Sequence, residues 1–249
     1  MRPTLRITRS SPLCLTIWLN QVVNGPLGPV YFADAPDRMP ASPDPLADYS
    51  DTERTIFDAA LQVFAREGKR GARMQEIADA ADINKAMLHY YFDSKDNLYD
   101  AVFSFTMRRF MASFGESLKE APTFEETLRT FIDGYIEFLR NNKASMRLMV
   151  HENLGGGTLF AEKLHAFKQR DNFPPKILIE TIESAAASGE IRPVDPDQTV
   201  VSVVSSCLFF FVTRPTVEVI HLKDEEDWDT FVEDRKEHVF DLIYHGLES

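Results

Sequence analysis

The stretch that most restricts the fold lies between Ser50 and Phe92, where three runs of helical periodicity follow one another with almost no chain between them. The first, Asp51 to Gly68, sets Ile56, Ala60, Leu61, Phe64 and Ala65 on one face, the spacing of a helix with an apolar stripe turned to a core. Ser50 or Asp51 can cap its start, and Gly68 is a natural stop. After the basic turn Lys69-Arg-Gly71, a second helix is expected from about Met74 to Ala80, burying Ile77, Ala78 and Ala81. Only Ala81-Asp-Ile-Asn84 separates it from a third, Lys85 to Tyr91, for which Asn84 is a good N-cap. Ile83 before that cap and Leu88 at the fourth helical position make a hydrophobic staple, which sets the angle between the two helices. Leu88 and Phe92 then face inward, while Lys85, Ala86, His89 and Tyr90 point out. Two short helices joined by a tight turn form a helix-turn-helix, whose second helix suits a DNA major groove. A plain three-helix packing unit satisfies the same periodicity, and geometry alone leaves both readings open.

Composition sets the frame around this unit. The 249 residues are 44% hydrophobic and 27% charged, near the globular average, which excludes wholesale disorder and allows one large domain or two modest ones. The formal net charge of −12 is unevenly spread: residues 1–50 sum to zero, 51–109 to −1 and 110–249 to −11. An acidic chain ordinarily argues against a nucleic-acid partner. Here the helix-turn-helix segment is nearly neutral. Cys14 and Cys207 lie far apart without metal or redox spacing, so a disulfide scaffold is excluded and a reducing cytoplasm is the expected home.

Residues 1–49 read differently. Eight of the 14 prolines fall before residue 46, too frequent for any long helix. The apolar piece Leu13–Leu19 is far shorter than the roughly 20 residues that cross a bilayer. Arg2, Arg6 and Arg9 ahead of it give a faint export-signal pattern, but no small-residue cleavage site stands out. We expect a disordered or non-native leader, with Met39 as an alternative start, and no membrane association.

From Ala72 to Leu98 the residues carry a family resemblance. Ile77-Ala78, Tyr90-Tyr91-Phe92, Ser94-Lys95 and Leu98 stand at the spacing of the DNA-binding domain of the TetR family of bacterial transcriptional regulators, and the first helix agrees through Ile56, Ala59-Ala60, Phe64 and Gly68. The segment 50–110, with its helix-turn-helix at about 73–92, resembles that domain and is expected to bind double-stranded operator DNA. The resemblance implies that Lys95 holds a backbone phosphate and that Tyr90 and Tyr91 serve as phosphate donors or core aromatics. Asn84, Lys85, Ala86 and His89 are the candidates for base edges: Lys85 for guanine, the Ala86 methyl for thymine. Arg73 stands where the family usually has a capping Thr and is placed to reach a phosphate instead. Ala86, Met87 and His89 also depart from the common pattern, which bears on the operator rather than the fold.

Beyond residue 110 the helical pattern continues, so the fold class is all-α: a three-helix DNA-binding domain followed by a helical domain, 111–249, for effector binding and dimerisation. The long helix after Lys95 is expected to end near Phe114. Thr123-Phe-Glu-Glu126 reads as a capping box. Gly155-Gly-Gly157 reads as a break, and Pro196 as the first residue of an apolar helix through Val212 that should be buried, plausibly between subunits. A last amphipathic helix, Trp228 to Leu247, is expected to turn Phe231, Val239, Leu242, Ile243 and Leu247 inward. The resemblance implies a homodimer through the last two long helices, and an unidentified small-molecule effector, apolar or aromatic, within the middle helices. Met107, Phe110, Met111, Phe131, Tyr135, Met149 and Phe167 are the candidate lining, with His151 and Asn153 to orient the ligand; ordinary core packing explains most of the apolar set equally well. The expected function is a ligand-responsive repressor, with an activator or an effector-independent regulator as the alternative.

An enzyme reading has little support. Glu162 and His165 form one Glu-x-x-His pair, where helical-bundle metal sites need two with further carboxylates. No nucleophile elbow, phosphate loop or dinucleotide motif is present. No metal or other cofactor is expected.

Overall fold

The computed structural model describes residues 49–221 and 227–248. The expected leader, save for Tyr49, and the connection 222–226 lie outside them. Among the described residues every regular element is a helix: α1 Asp51–Gly71, α2 Met74–Ala80, α3 Lys85–Phe92, α4 Lys95–Glu120, α5 Phe124–Asn141, α6 Lys143–Leu154, α7 Thr158–Phe167, α8 Pro174–Ser188, α9 Pro196–Val212, α10 Arg214–His221 and α11 Asp227–Leu247.

Local chemistry sets most of these boundaries. Ser50 opens α1 with a full capping box, its hydroxyl accepting from the Glu53 amide while the Glu53 carboxylate accepts from the Ser50 amide. Gly68 breaks the regular helix as expected, at φ 66, yet helical turns resume through Gly71. Ser94, Thr123 and Asp195 cap α4, α5 and α9 through bonds to the third amide of each helix. Gly189, at φ 79, ends α8. Gly156 and Gly157 turn the chain at positive φ between α6 and α7.

The helices bury one continuous core. α4 runs through its middle, packing against α1, α5 and α8, and it continues six residues past Phe114 because Leu118 prolongs its apolar stripe. Two glycines allow close helix approach: a Cβ on Gly115 would lie 2.5 Å from the Asn172 carbonyl oxygen, and one on Gly134 would lie 2.6 Å from the Phe114 side chain. α6 lies along α1, joining the helix-turn-helix unit to the rest of the molecule.

Three expectations are corrected here. Tyr49, placed with the leader, packs edge-on against Phe57 at 4.7 Å between ring centroids. Leu242, expected inward, is 62% exposed; α11 instead buries Val232, Val239, Phe240 and Leu247, a stripe rotated away from Leu242. In the single chain the apolar run of α9 buries one face and leaves Val201, Phe209 and Val212 open on the other. The short helix α10 was not anticipated: Thr213 ends α9, and the chain bends by 73° into it. No single helix among the described residues is long and apolar enough to cross a membrane.

Candidate nucleic-acid interface

The turn between α2 and α3 is tight because three amides find carbonyls within it. Ala81 donates to Ile77, Asp82 to Asp79 and Ile83 to Ala78, at 3.0–3.2 Å. Asp82 sits at φ 53 to make the corner. Asn84 then opens α3, its side-chain oxygen accepting from the Ala86 amide at 2.8 Å, so that oxygen is committed and only the amide NH2 is left to offer a base. Leu88 is wholly buried and Phe92 rests 5.5 Å from Phe57 between centroids. These two contacts hold the inner face of α3 to the body.

The outer face is free. Lys85, Ala86, Met87, His89, Tyr90 and Tyr91 are all exposed, Tyr90 at 85%. Tyr90 packs edge-on against Tyr91 at 5.6 Å, which turns both rings outward instead of into the core. His89 donates from Nδ1 to the Asp93 carbonyl at 2.9 Å, leaving Nε2 as an acceptor when the ring is neutral. Arg73 precedes α2 with extended backbone, without a capping bond from its side chain, and is exposed. A face of this kind combines donors, acceptors and apolar edges on a rod narrow enough for a major groove.

Lys95 occupies a more structural place than expected. Its ammonium donates to the carbonyls of Ala72 at 3.1 Å and Arg70 at 3.4 Å, tying the start of α4 to the end of α1. Behind the interface, the Tyr99 hydroxyl donates to Glu152 at 3.0 Å, and the other oxygen of Glu152 accepts from the Leu159 amide. Burial and the neighbouring Glu152 carboxylate push the Tyr99 phenol well above its ordinary pKa. Glu152 therefore joins α4, α6 and the first turn of α7.

Comparisons with known proteins agree with this geometry. A profile described as bacterial regulatory proteins, tetR family, matches residues 56–102, and one described as the Tetracyclin repressor-like C-terminal domain matches residues 125–243. The chain belongs to the TetR family. It is 26% identical over 190 residues to the HTH-type transcriptional repressor NicS of Pseudomonas putida, covering 74% of this chain and 89% of that protein. It is 28% identical over 205 residues to the HTH-type transcriptional regulator RutR of Escherichia coli K12, covering 78% and 90%. Among solved structures, the fatty acid degradation regulator FadR of Bacillus halodurans has a TM-score of 0.60 at 18% identity, covering 79% of this chain and 96% of that one. This TetR-family chain is a DNA-binding transcriptional regulator, not an enzyme.

In this TetR-family protein the candidate effector residues fall into two groups. Met107, Phe110, Met111, Phe131, Tyr135 and Phe167 are all buried, with Phe110 edge-on to Phe114, Tyr135 and Phe138 at 5.1–5.5 Å. Burial, ahead of the nearby Cys207, raises the Tyr135 phenol above its usual range. Met149 is half-buried against the core. Asn153 is exposed and donates to the Met149 carbonyl. His151 is exposed and lines a groove of about 460 Å³ beside α6. A second groove, of about 580 Å³, lies between α9 and α11 and includes Phe209, Arg235 and His238. Sequence reasoning missed both grooves: their walls come from segments some 15 to 90 residues apart, and no local pattern announces such a meeting. Among the described residues no group of three or more His, Cys, Asp or Glu is placed to hold a metal ion.

Proposed function

We propose that this regulator is a homodimeric cytoplasmic repressor, released from a near-palindromic operator by a small apolar or aromatic effector. The outward face of α3, exposed over a wholly buried Leu88, is the observation that carries the reading. In it, residues 50–110 bind DNA and residues 111–249 bind the effector and the second subunit. Lys85, Ala86 and His89 touch base edges, with Met87 beside them. Arg73, Tyr90, Tyr91 and Lys95 contact the backbone. Exposed Val201 and Phe209 on α9 and Leu242 on α11 support pairing through these two helices, since apolar side chains clustered on a surface mark a docking face. A two-fold dimer would set two α3 helices about 34–36 Å apart, one turn of DNA. Release needs an effector whose affinity differs between two arrangements of α4 and α6 against α1, by about 1–3 kcal/mol of coupling.

Genome-wide mapping of sites bound by the purified protein tests this. The expected result is one inverted repeat with half-sites a helical turn apart, near genes whose expression rises when the protein is removed. A single unrepeated half-site, or no enriched motif, overturns it.

A further inference from the structure

The groove beside α6 has a chemistry unlike the surface around it. Lys143, Arg147 and His151 stand four residues apart along α6 and form one of its walls, a single row on a helix. Met146 and Val150 form the adjacent row, and Phe211 and Trp228 close the far side. The result is a slot of about 460 Å³, within the range of small-molecule sites, with an apolar floor and a cationic edge.

The cations are not equivalent. Arg140 is paired with Glu137 and Glu233 at 2.6 and 2.7 Å, and Arg214 with Glu218 at 2.6 Å while covering the Trp228 ring. Lys143 and Arg147 bond to no acid among the described residues. Residues 110–249 carry 25 acids against 14 bases, so two unpaired cations side by side run against the local excess. Like charges four apart on a helix also repel each other. An anion between them relieves that repulsion, and the Arg147 guanidinium offers the planar fork that a carboxylate matches.

We propose that this groove binds a small amphipathic carboxylate, its head between Lys143 and Arg147 and its aliphatic or aromatic body against Met146, Val150, Phe211 and Trp228. Apart from His151, the site is separate from the residues considered above for an effector. It lies on the helix that packs along α1.

Isothermal titration of the full chain with octanoate, 1-octanol and octylammonium tests the assignment. Octanoate is expected to bind saturably, one per chain, at least about tenfold more tightly than octanol, with no saturation by octylammonium. The double variant Lys143→Glu/Arg147→Glu is expected to lose octanoate affinity by at least about tenfold while keeping its unfolding midpoint. Should that variant misfold, Lys143→Gln/Arg147→Gln takes its place. Absence of saturable octanoate binding below about 5 mM, equal binding of octanol, or undiminished binding by the double variant each overturns the proposal. Operator binding is measured separately, so these failures leave the regulator reading standing.

Discussion

Asp82 makes the corner of the helix-turn-helix at φ 53, a left-handed conformation that costs a residue bearing a Cβ about 1–2 kcal/mol, less for Asp than for most. Asp82→Gly should therefore be at least as stable as the parent. Asp82→Ala should fall below both, with about 1 kcal/mol between the Gly and Ala variants in urea unfolding. The DNA-facing residues divide by what they touch. Lys85→Ala or His89→Ala should re-rank operator sequences in a competition assay. Lys95→Ala should weaken binding to all of them and lower the salt slope by about one. Because Lys95 also holds the carbonyls of Arg70 and Ala72, its loss should loosen the α1–α4 joint as well, seen as faster amide exchange there. Equal effects of both kinds of variant on sequence preference would contradict the assigned roles.

Between elements, a charged cluster ties α5 to α11: Lys236 reaches Glu137 and Glu233, and Arg140 reaches the same two acids. The Lys236 bond and the Lys236 and Arg140 charges hold Glu233 below its ordinary pKa of 4.5, against a smaller effect of burial. A depressed carboxyl contributes stability at pH above its unfolded value and loses it as pH falls through the folded one. Thermal midpoints should accordingly drop as pH goes below about 4.5, and less steeply in Glu233→Gln; an unchanged acid profile in that variant would argue against the tie. The exposed geometry keeps the effect modest.

What could be read in advance follows from range. Caps at Ser50, Asn84, Ser94 and Asp195 act over two or three residues, so α1, α3, α4 and α9 begin where expected. The α2–α3 corner is equally local, and the exposed face of α3 follows from it. Leu242 failed because the stripe of α11 is chosen by α5 and α9, to which α11 docks, not by its own periodicity. α10 went unseen although Pro215 stands in its first turn, a position where proline commonly opens a helix; the break of one residue, Thr213, hides it behind the apolar run of α9. The cationic slot draws on α5, α6, α9, α10 and α11, which meet only in the folded chain.

For the whole molecule, the acidic C-terminal part and the small number of bases near α3 set the terms of DNA binding. Affinity should stay moderate and fall only gently with salt, since few phosphates are neutralised. Phe209, 65% exposed on α9, is the side chain whose replacement by a charged one should separate the subunits. Phe209→Glu is expected to sediment as a monomer and to bind a palindrome no better than a half-site, while its helical content stays the same. The 26-residue α4 crosses the division at residue 110 without a break. At 1.5 Å per residue it is a stiff arm about 39 Å long, so a tilt of about 5° at one end swings the other by about 3.4 Å, the rise of one base pair. A disturbance too small to alter any side-chain contact near a ligand is thus large enough to put a reading head out of step with the groove it must follow.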